Sequence, residues 1–116
     1  MITVYGIRQC DTCRKALKWL EAEGVEHRFH DLRTDGLDGS TLQRWLASPL
    51  ADALVNRRST TWRGLTEAEK SSAGKALETL LLAHPTLIKR PVFEKDGEPV
   101  AIGFRSAAPP AELSPA

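Results

Sequence analysis

Apolar and polar positions alternate in a way that divides the chain into recognisable elements. Ile2-Thr3-Val4-Tyr5 is short, β-branched and aromatic, and Gly6 ends it, which predicts a strand. Beyond it, Cys13, Ala16, Leu17 and Leu20 recur at helical spacing. Asp11 or Thr12 is placed to cap that helix, and Gly24 to stop it. Val25, His27 and Phe29 then alternate with polar residues, as a second strand would. Strand, helix and strand within about thirty residues form a βαβ unit, with parallel strands and a right-handed crossover.

Thr34-Asp35-Gly36 is loop-like, and Ser40 can cap a short helix carrying Leu42, Trp45 and Leu46 that stops near Pro49. Leu50, Ala53 and Leu54 suggest a further helical turn, and residues 56–63 read as a polar, basic loop. Thr66-Glu67-Ala68-Glu69 has the capping-box spacing, so a helix starts there, with Gly74 placed to bend or divide it before Leu77, Leu80 and Leu81. Asp96-Gly97 between Val92-Phe93-Glu94 and Val100-Ala101-Ile102 is a strong hairpin signal. Residues 107–116, rich in Ala and Pro, read as a loose tail without a fixed helix. The order βαβ, helices, ββ predicts an α/β domain with a mixed sheet.

Composition narrows the functional classes. A chain of 116 residues is the usual size of one domain and needs no structural metal or disulfide scaffold to fold. With 27% charged residues and a net charge of +1 it is neither a disordered chain nor an obvious nucleic-acid binder. No apolar run approaches the roughly 18 residues of a membrane span. Arg8, Asp11, Arg14, Lys15 and Lys18 break any signal-peptide core, so a reducing cytoplasm is the expected compartment.

That compartment shapes the reading of the two cysteines, which lie together in Cys10-Asp11-Thr12-Cys13. Cys10 sits just before the expected helix, where unpaired N–H groups and the helix dipole favour a thiolate, the reactive form. Arg8 and Arg14 add positive charge nearby, and Asp11 opposes them. Cys13 lies one turn on, within reach of a disulfide. Cys10 is thus the expected nucleophile, and Cys13 is either a resolving thiol or a silent core residue. A CxxC beside a βαβ pattern in a cytosolic chain reads as a redox motif.

Two other constellations compete. His27 and His30 follow the cysteines in a zinc-finger-like order, yet an i, i+3 pair on a strand points to opposite faces, and each histidine reads more simply as a strand or surface residue. Arg57, Arg58 and Arg63 fall in one expected loop, Lys89 and Arg90 in another, and Arg105 follows the hairpin. Taken singly these are solvated charges; together they offer forked donors for an oxyanion from loops of a rigid scaffold. Pro91, just before a strand, is a candidate for a cis bond. Trp19, Trp45 and Trp62 read as core. The chain carries no phosphate loop, HExxH or GxSxG.

Val4-Tyr5-Gly6, Cys10 through Ala16, Trp19-Leu20, Phe29-His30-Asp31, Asp35-Gly36-Leu37, Thr60-Thr61-Trp62-Arg63, His84-Pro85, Ile88-Lys89-Arg90-Pro91 and Gly103-Phe104 together resemble the ArsC-like family. That family holds glutaredoxin-coupled arsenate reductases, YffB-type proteins and Spx-type transcription regulators, and the YffB-type branch is the most similar. The resemblance implies a thioredoxin-like fold in one domain over residues 1–106, with a helical insertion at about 38–83. It implies Cys10 as nucleophile and Arg90 as the residue before a cis-proline, with Arg58 and Arg105 as further anion-binding matches. In the arsenate reductases the basic-loop Arg falls near Asn56 of this chain, and no second cysteine matches Cys13; Spx-type regulators do have a CxxC. The expected activity is a glutathione-coupled thiol reductase, using glutathione or glutaredoxin and no bound cofactor, acting on a small oxyanion or a disulfide. The alternative is a redox-sensing regulator that binds RNA polymerase through a Cys10–Cys13 switch.

Overall fold

A computed structural model of the chain describes residues 1–113. Four strands, β1 (Ile2–Gly6), β2 (His27–Asp31), β3 (Val92–Lys95) and β4 (Glu98–Ile102), form one sheet in the order β2-β1-β3-β4. β1 pairs parallel with β2 and antiparallel with β3, and β3 pairs antiparallel with β4. The sheet is therefore mixed. The chain divides into two compact units, one of residues 1–36 with the segment from Arg90 onward, the other Leu37–Lys89.

In the first unit, α1 (Asp11–Ala22) buries Cys13, Ala16 and Leu20, the stripe that the spacing predicts. Its start differs from the expectation. Cys10, not Asp11 or Thr12, is the N-cap, extended at φ −82° and ψ 120°. The reason lies in the backbone: the Cys10 N–H donates to the Ile7 carbonyl at 2.9 Å, and the Cys10 carbonyl accepts the Arg14 N–H at 3.0 Å. Asp11 falls inside the first turn and pairs with Arg14 at 3.6 Å. At the other end Gly24 has φ 68°, its N–H donates to Glu21, and the Val25 N–H donates to Leu20. This is a Schellman stop, which explains why Val25 belongs to the helix end rather than to β2.

The β3–β4 turn has Asp96 at φ 54° and Gly97 at φ 82°, the two left-handed positions of a type I′ hairpin. Ile2, Val4, Ala16, Leu20 and Phe93 form the core of this unit with Ala101 and Leu113. Full burial of each large aliphatic or aromatic member stabilises by about 1.5–3 kcal/mol. The expected loose tail is corrected here. Ala111–Leu113 form a 3-10 turn and Leu113 is 1% exposed, because it fills a place in the same core. The last three residues of that expected tail lie outside the described residues.

The second unit is helical: α2 (Gly39–Leu46), α3 (Thr60–Arg63), α4 (Glu67–Lys70) and α5 (Gly74–Ala83), with 3-10 turns at Ala51–Ala53 and Pro85–Leu87. Thr66 and Glu69 make the expected capping box reciprocally. Gly74, at φ 56°, begins α5, so the helix expected from residue 66 is divided. Two expectations fail. Asp38 rather than Ser40 occupies the α2 N-cap. Residues 56–63 are not all loop, because the Ser59 hydroxyl accepts the Trp62 N–H and starts α3, which places Arg63 in a helix. Trp45 is fully buried, whereas Trp62 is half-buried beneath the Arg57 guanidinium, 5.5 Å from its ring. No helix among the described residues is long and apolar enough to cross a membrane.

Leu113→Ala should lower unfolding stability by about 2–4 kcal/mol, as an unfilled core cavity does. Urea titration followed by tryptophan fluorescence measures it; a loss below about 0.5 kcal/mol is the surface value and would place the tail outside the core.

Candidate active site

The first unit presents its two thiols where β1 hands over to α1. Gly6 closes β1, a turn over residues 7–10 follows, and α1 begins at Asp11. This turn is fixed from below by Asp31, the last residue of β2 and 3% exposed. Its Oδ2 accepts the Arg8 N–H at 3.1 Å, and its Oδ1 accepts the Arg33 and Thr34 N–H groups at 2.8 and 3.1 Å. The Leu32 N–H donates to the Gly6 carbonyl at 2.8 Å, tying the same two strand ends by backbone alone. Burial works against the Asp31 carboxylate, but these backbone donors and the Arg8 charge outweigh it and hold its pKa below the ordinary value. Arg14 braces the turn from above, its Nε donating to the Arg8 carbonyl at 3.0 Å.

Cys13 is fully buried against the strand end. A Cβ on Gly6 would stand 2.5 Å from the Cys13 Sγ, so only glycine leaves room for that sulfur. Burial, with the Cys10 charge beside it, pushes the Cys13 thiol up to about 12; the Ile7 backbone and Arg90 oppose this only in part. Cys10 behaves in the opposite way. Partial burial again disfavours its charge, but the Cys13 N–H and thiol and the Arg90 guanidinium outweigh that and bring its pKa below an ordinary thiol's. Two thiols one turn apart are thus sharply differentiated: the Cys10 sulfur is held toward the thiolate, and the Cys13 sulfur toward the protonated thiol.

Arg90 precedes Pro91 across a cis peptide bond, just before β3, and the Pro91 carbonyl accepts the Gly103 N–H at 2.8 Å. The structure therefore brings together Cys10, Cys13, Arg90 and Pro91 in one unit. Arg14 belongs to the same cluster of elements, but its guanidinium is engaged by the Arg8 carbonyl and by Asp11, as a brace. Arg105 follows β4 and is exposed. Arg58 lies in the Leu37–Lys89 unit, also exposed, with its N–H on Asn56 and its carbonyl accepting from Arg63. His27 and His30 are engaged by the Val25 and Gly36 carbonyls, at 2.9 and 2.6 Å. Among the described residues no group of three or more metal-ligating side chains comes together.

Asp31 and Gly6 were not singled out for these roles by sequence reasoning. The Asp31 signal was present in part, since an Asp ending a strand before a Thr-Asp-Gly turn is a typical acceptor for successive backbone N–H groups. Gly6 offers no comparable signal, because a strand-ending glycine has many uses.

The sequence model of the ArsC family matches residues 5–109. The chain belongs to the ArsC family. It is 52% identical over 105 residues to an uncharacterised protein of Haemophilus influenzae, covering 90% of this chain and 91% of that one. It is 31% identical over 106 residues to the global transcriptional regulator Spx of Streptococcus pneumoniae, covering 90% and 79%. Among solved structures, the YffB protein superposes with a TM-score of 0.84 at 39% identity, over 98% of this chain and all of that one. An arsenate reductase (ArsC) related protein from Brucella melitensis gives 0.75 at 44% identity, over 91% and 88%. The sheet order and these neighbours make the fold of this ArsC-family chain thioredoxin-like.

Iodoacetamide at neutral pH should alkylate Cys10 alone, with Cys13 reacting only after unfolding, as read by peptide mass. The pH profile of that alkylation should move upward in Arg90→Met, which removes a neighbouring positive charge. For Asp31 the depressed pKa sets the sign: the stability it contributes is present above its unfolded value and lost as pH falls through its folded value. The native chain's stability advantage over Asp31→Asn should therefore shrink on acidification below about pH 4. An advantage that grows there would reverse the assignment of Asp31 as an ionised clamp.

Proposed function

We propose that this ArsC-family chain is a glutathione-coupled thiol reductase. The observation that carries the reading is the Cys10 sulfur at the head of α1, held toward the thiolate by the Cys13 donors and Arg90. The Cys10 thiolate attacks one sulfur of an oxidised substrate such as a mixed disulfide with glutathione. A Cys10–glutathione disulfide forms, and the other sulfur leaves as a thiol after taking up a proton. A glutathione thiolate then attacks that disulfide, releases oxidised glutathione and restores Cys10. In net terms one glutathione thiol is consumed for each mixed disulfide: the substrate thiol is freed, and the glutathione it carried leaves joined to the incoming one as oxidised glutathione. Arg90 stabilises the negative charge on attacking and leaving sulfur, and Arg105 is a candidate for a substrate carboxylate or oxyanion. Arsenate, given the likeness to the arsenate reductase (ArsC) related protein of Brucella melitensis, is one oxyanion to assay. A cytoplasmic setting, where glutathione is abundant, fits this chemistry.

A second reading is favoured by the placement of Cys13 against Cys10 and by the likeness to Spx: a Cys10–Cys13 disulfide switch governing a protein partner such as RNA polymerase.

Cys10→Ser should abolish glutathione-dependent reduction by at least about a thousandfold, and Arg90→Met should cost about a hundredfold, whereas Cys13→Ser should stay within about threefold. Intact mass after brief exposure to oxidised glutathione separates the two readings. One glutathione added in both the native chain and Cys13→Ser supports the reductase. Loss of two hydrogens in the native chain, with an adduct only in Cys13→Ser, overturns the monothiol cycle in favour of the switch.

A further inference from the structure

β2 is an outer strand of the sheet, paired with β1 on one side only. The hydrogen bonds at its two ends fix which of its residues turn toward the open side. The Ile2 N–H donates to the Glu26 carbonyl, and the Leu32 N–H to the Gly6 carbonyl. In the parallel register, Glu26, Arg28, His30 and Leu32 therefore direct their backbone groups to β1. His27, Phe29 and Asp31 alternate with them and direct theirs outward. Asp31 is already satisfied: its N–H donates to the Asp35 Oδ2 at 2.9 Å, and its carbonyl accepts the Asp35 N–H at 2.9 Å. The outward N–H and C=O groups of His27 and Phe29 have no partner among the described residues. The opposite outer strand is blunted by Pro99, which has no N–H, and by a register shift at Phe93/Glu94. β2 has neither a proline nor a shift in register.

A groove of about 410 Å³ lies beside this open stretch, lined by Arg8, Leu17, Glu21, His27 and Phe29. Phe29 and His27 pair with Val4 and Ile2, which belong to the core with Ala16 and Leu20, so their side chains share the α1 face of the sheet. Half-buried Leu17 and Phe29 give the groove an apolar middle. The Arg8 guanidinium stands 5.4 Å over the Phe29 ring at one end. The Val25 N–H bonds to the Leu20 carbonyl, which brings the last turn of α1 to the start of β2 and sets the exposed Glu21 at the His27 end.

Two successive outward residues on an extended edge present donors and acceptors at the spacing of a β-ladder, and another extended backbone supplies their complement. We propose that the open edge of β2 receives an extended segment of a partner protein as a fifth, antiparallel strand. The residue opposite Phe29 exchanges both hydrogen bonds with it and lays an apolar side chain on Phe29 and Leu17. The residue opposite His27, two positions later, is basic and faces Glu21. A second copy of β2 fits less well, because antiparallel pairing through Phe29 carries its chain past Asp31, where Asp35 already sits. This surface is independent of the thiol reading.

The test is a titration of the full ¹⁵N-labelled chain with the blocked peptide acetyl-Thr-Val-Thr-Lys-Thr-amide. Saturable shifts are expected at the His27 and Phe29 amides, with slowed hydrogen exchange at both. Methylating the valine nitrogen removes the donor to the Phe29 carbonyl and should weaken binding by about tenfold. Methylating the central threonine nitrogen, which points away from β2, should stay within about threefold of the parent peptide. Glu21→Lys, at an exposed position, should weaken the lysine peptide by about three- to fivefold, and replacing that lysine by glutamate should restore binding to the variant. No saturable shift at His27 and Phe29, or equal binding of the valine-methylated peptide, would overturn the added strand. Shifts of the Phe29 amide that track the concentration of the chain alone would make a second copy the occupant and overturn the partner.

Discussion

The seating of the Cys13 sulfur against Gly6 governs the geometry of the first unit. No side chain other than hydrogen leaves space there, since a Cβ would come within 2.5 Å of the sulfur. That close approach lets the first turn of α1 lie directly on the end of β1, and Ala16 and Leu20 follow onto the sheet one and two turns later. Because α1 is pinned at its N-terminus, the unsatisfied N–H groups of its first turn occupy a fixed place. Cys10 inherits that place. The same few atoms thus set both the packing of the helix and the electrostatics of the thiol that precedes it.

The pair of cysteines shows how one motif yields two chemistries by position alone. Both sulfurs pay for burial, yet only Cys10 has donors enough to overcome it. Cys13 supplies some of those donors, so its protonated state and the Cys10 thiolate support each other. Asp31 contributes through the backbone: it fixes that of Arg8, and through it the turn that presents Cys10. Arg14 acts on the same turn from the other side. Asp31 and Arg14 therefore position, through the Arg8 backbone, a thiol whose charge they do not set directly.

Local signals in the sequence carried most of the fold. The apolar stripe of α1, the capping box at Thr66 and the Asp96-Gly97 turn each encode their geometry within a few residues, and each formed as expected. Where the reading went astray, the deciding interaction was not local or was made by backbone. The α1 cap moved to Cys10 because the preceding turn fixed its dihedrals, and Ser59 started a helix inside an otherwise polar run. Leu113 was invisible as core because its Ala- and Pro-rich surroundings carry no periodicity. In the site, Cys10, Cys13 and the Arg90-Pro91 step were legible as motif residues. Asp31 and Gly6 were not, since their roles are defined by what distant segments bring to them. Buried Glu78 was equally hidden, a charge on the face that a helical wheel reserves for apolar groups.

Leu113 has a consequence for how the first unit comes apart. Ile2, in the opening strand, and Leu113, in the closing turn, belong to one core, although 110 residues separate them, the Leu37–Lys89 unit among them. Fraying at either extremity opens the same apolar interior, so neither end is free to peel away cheaply. The unit closes like a ring clasped at Leu113, and amide protons of β1 should exchange only with those of the residues that clasp it, as one cooperative group.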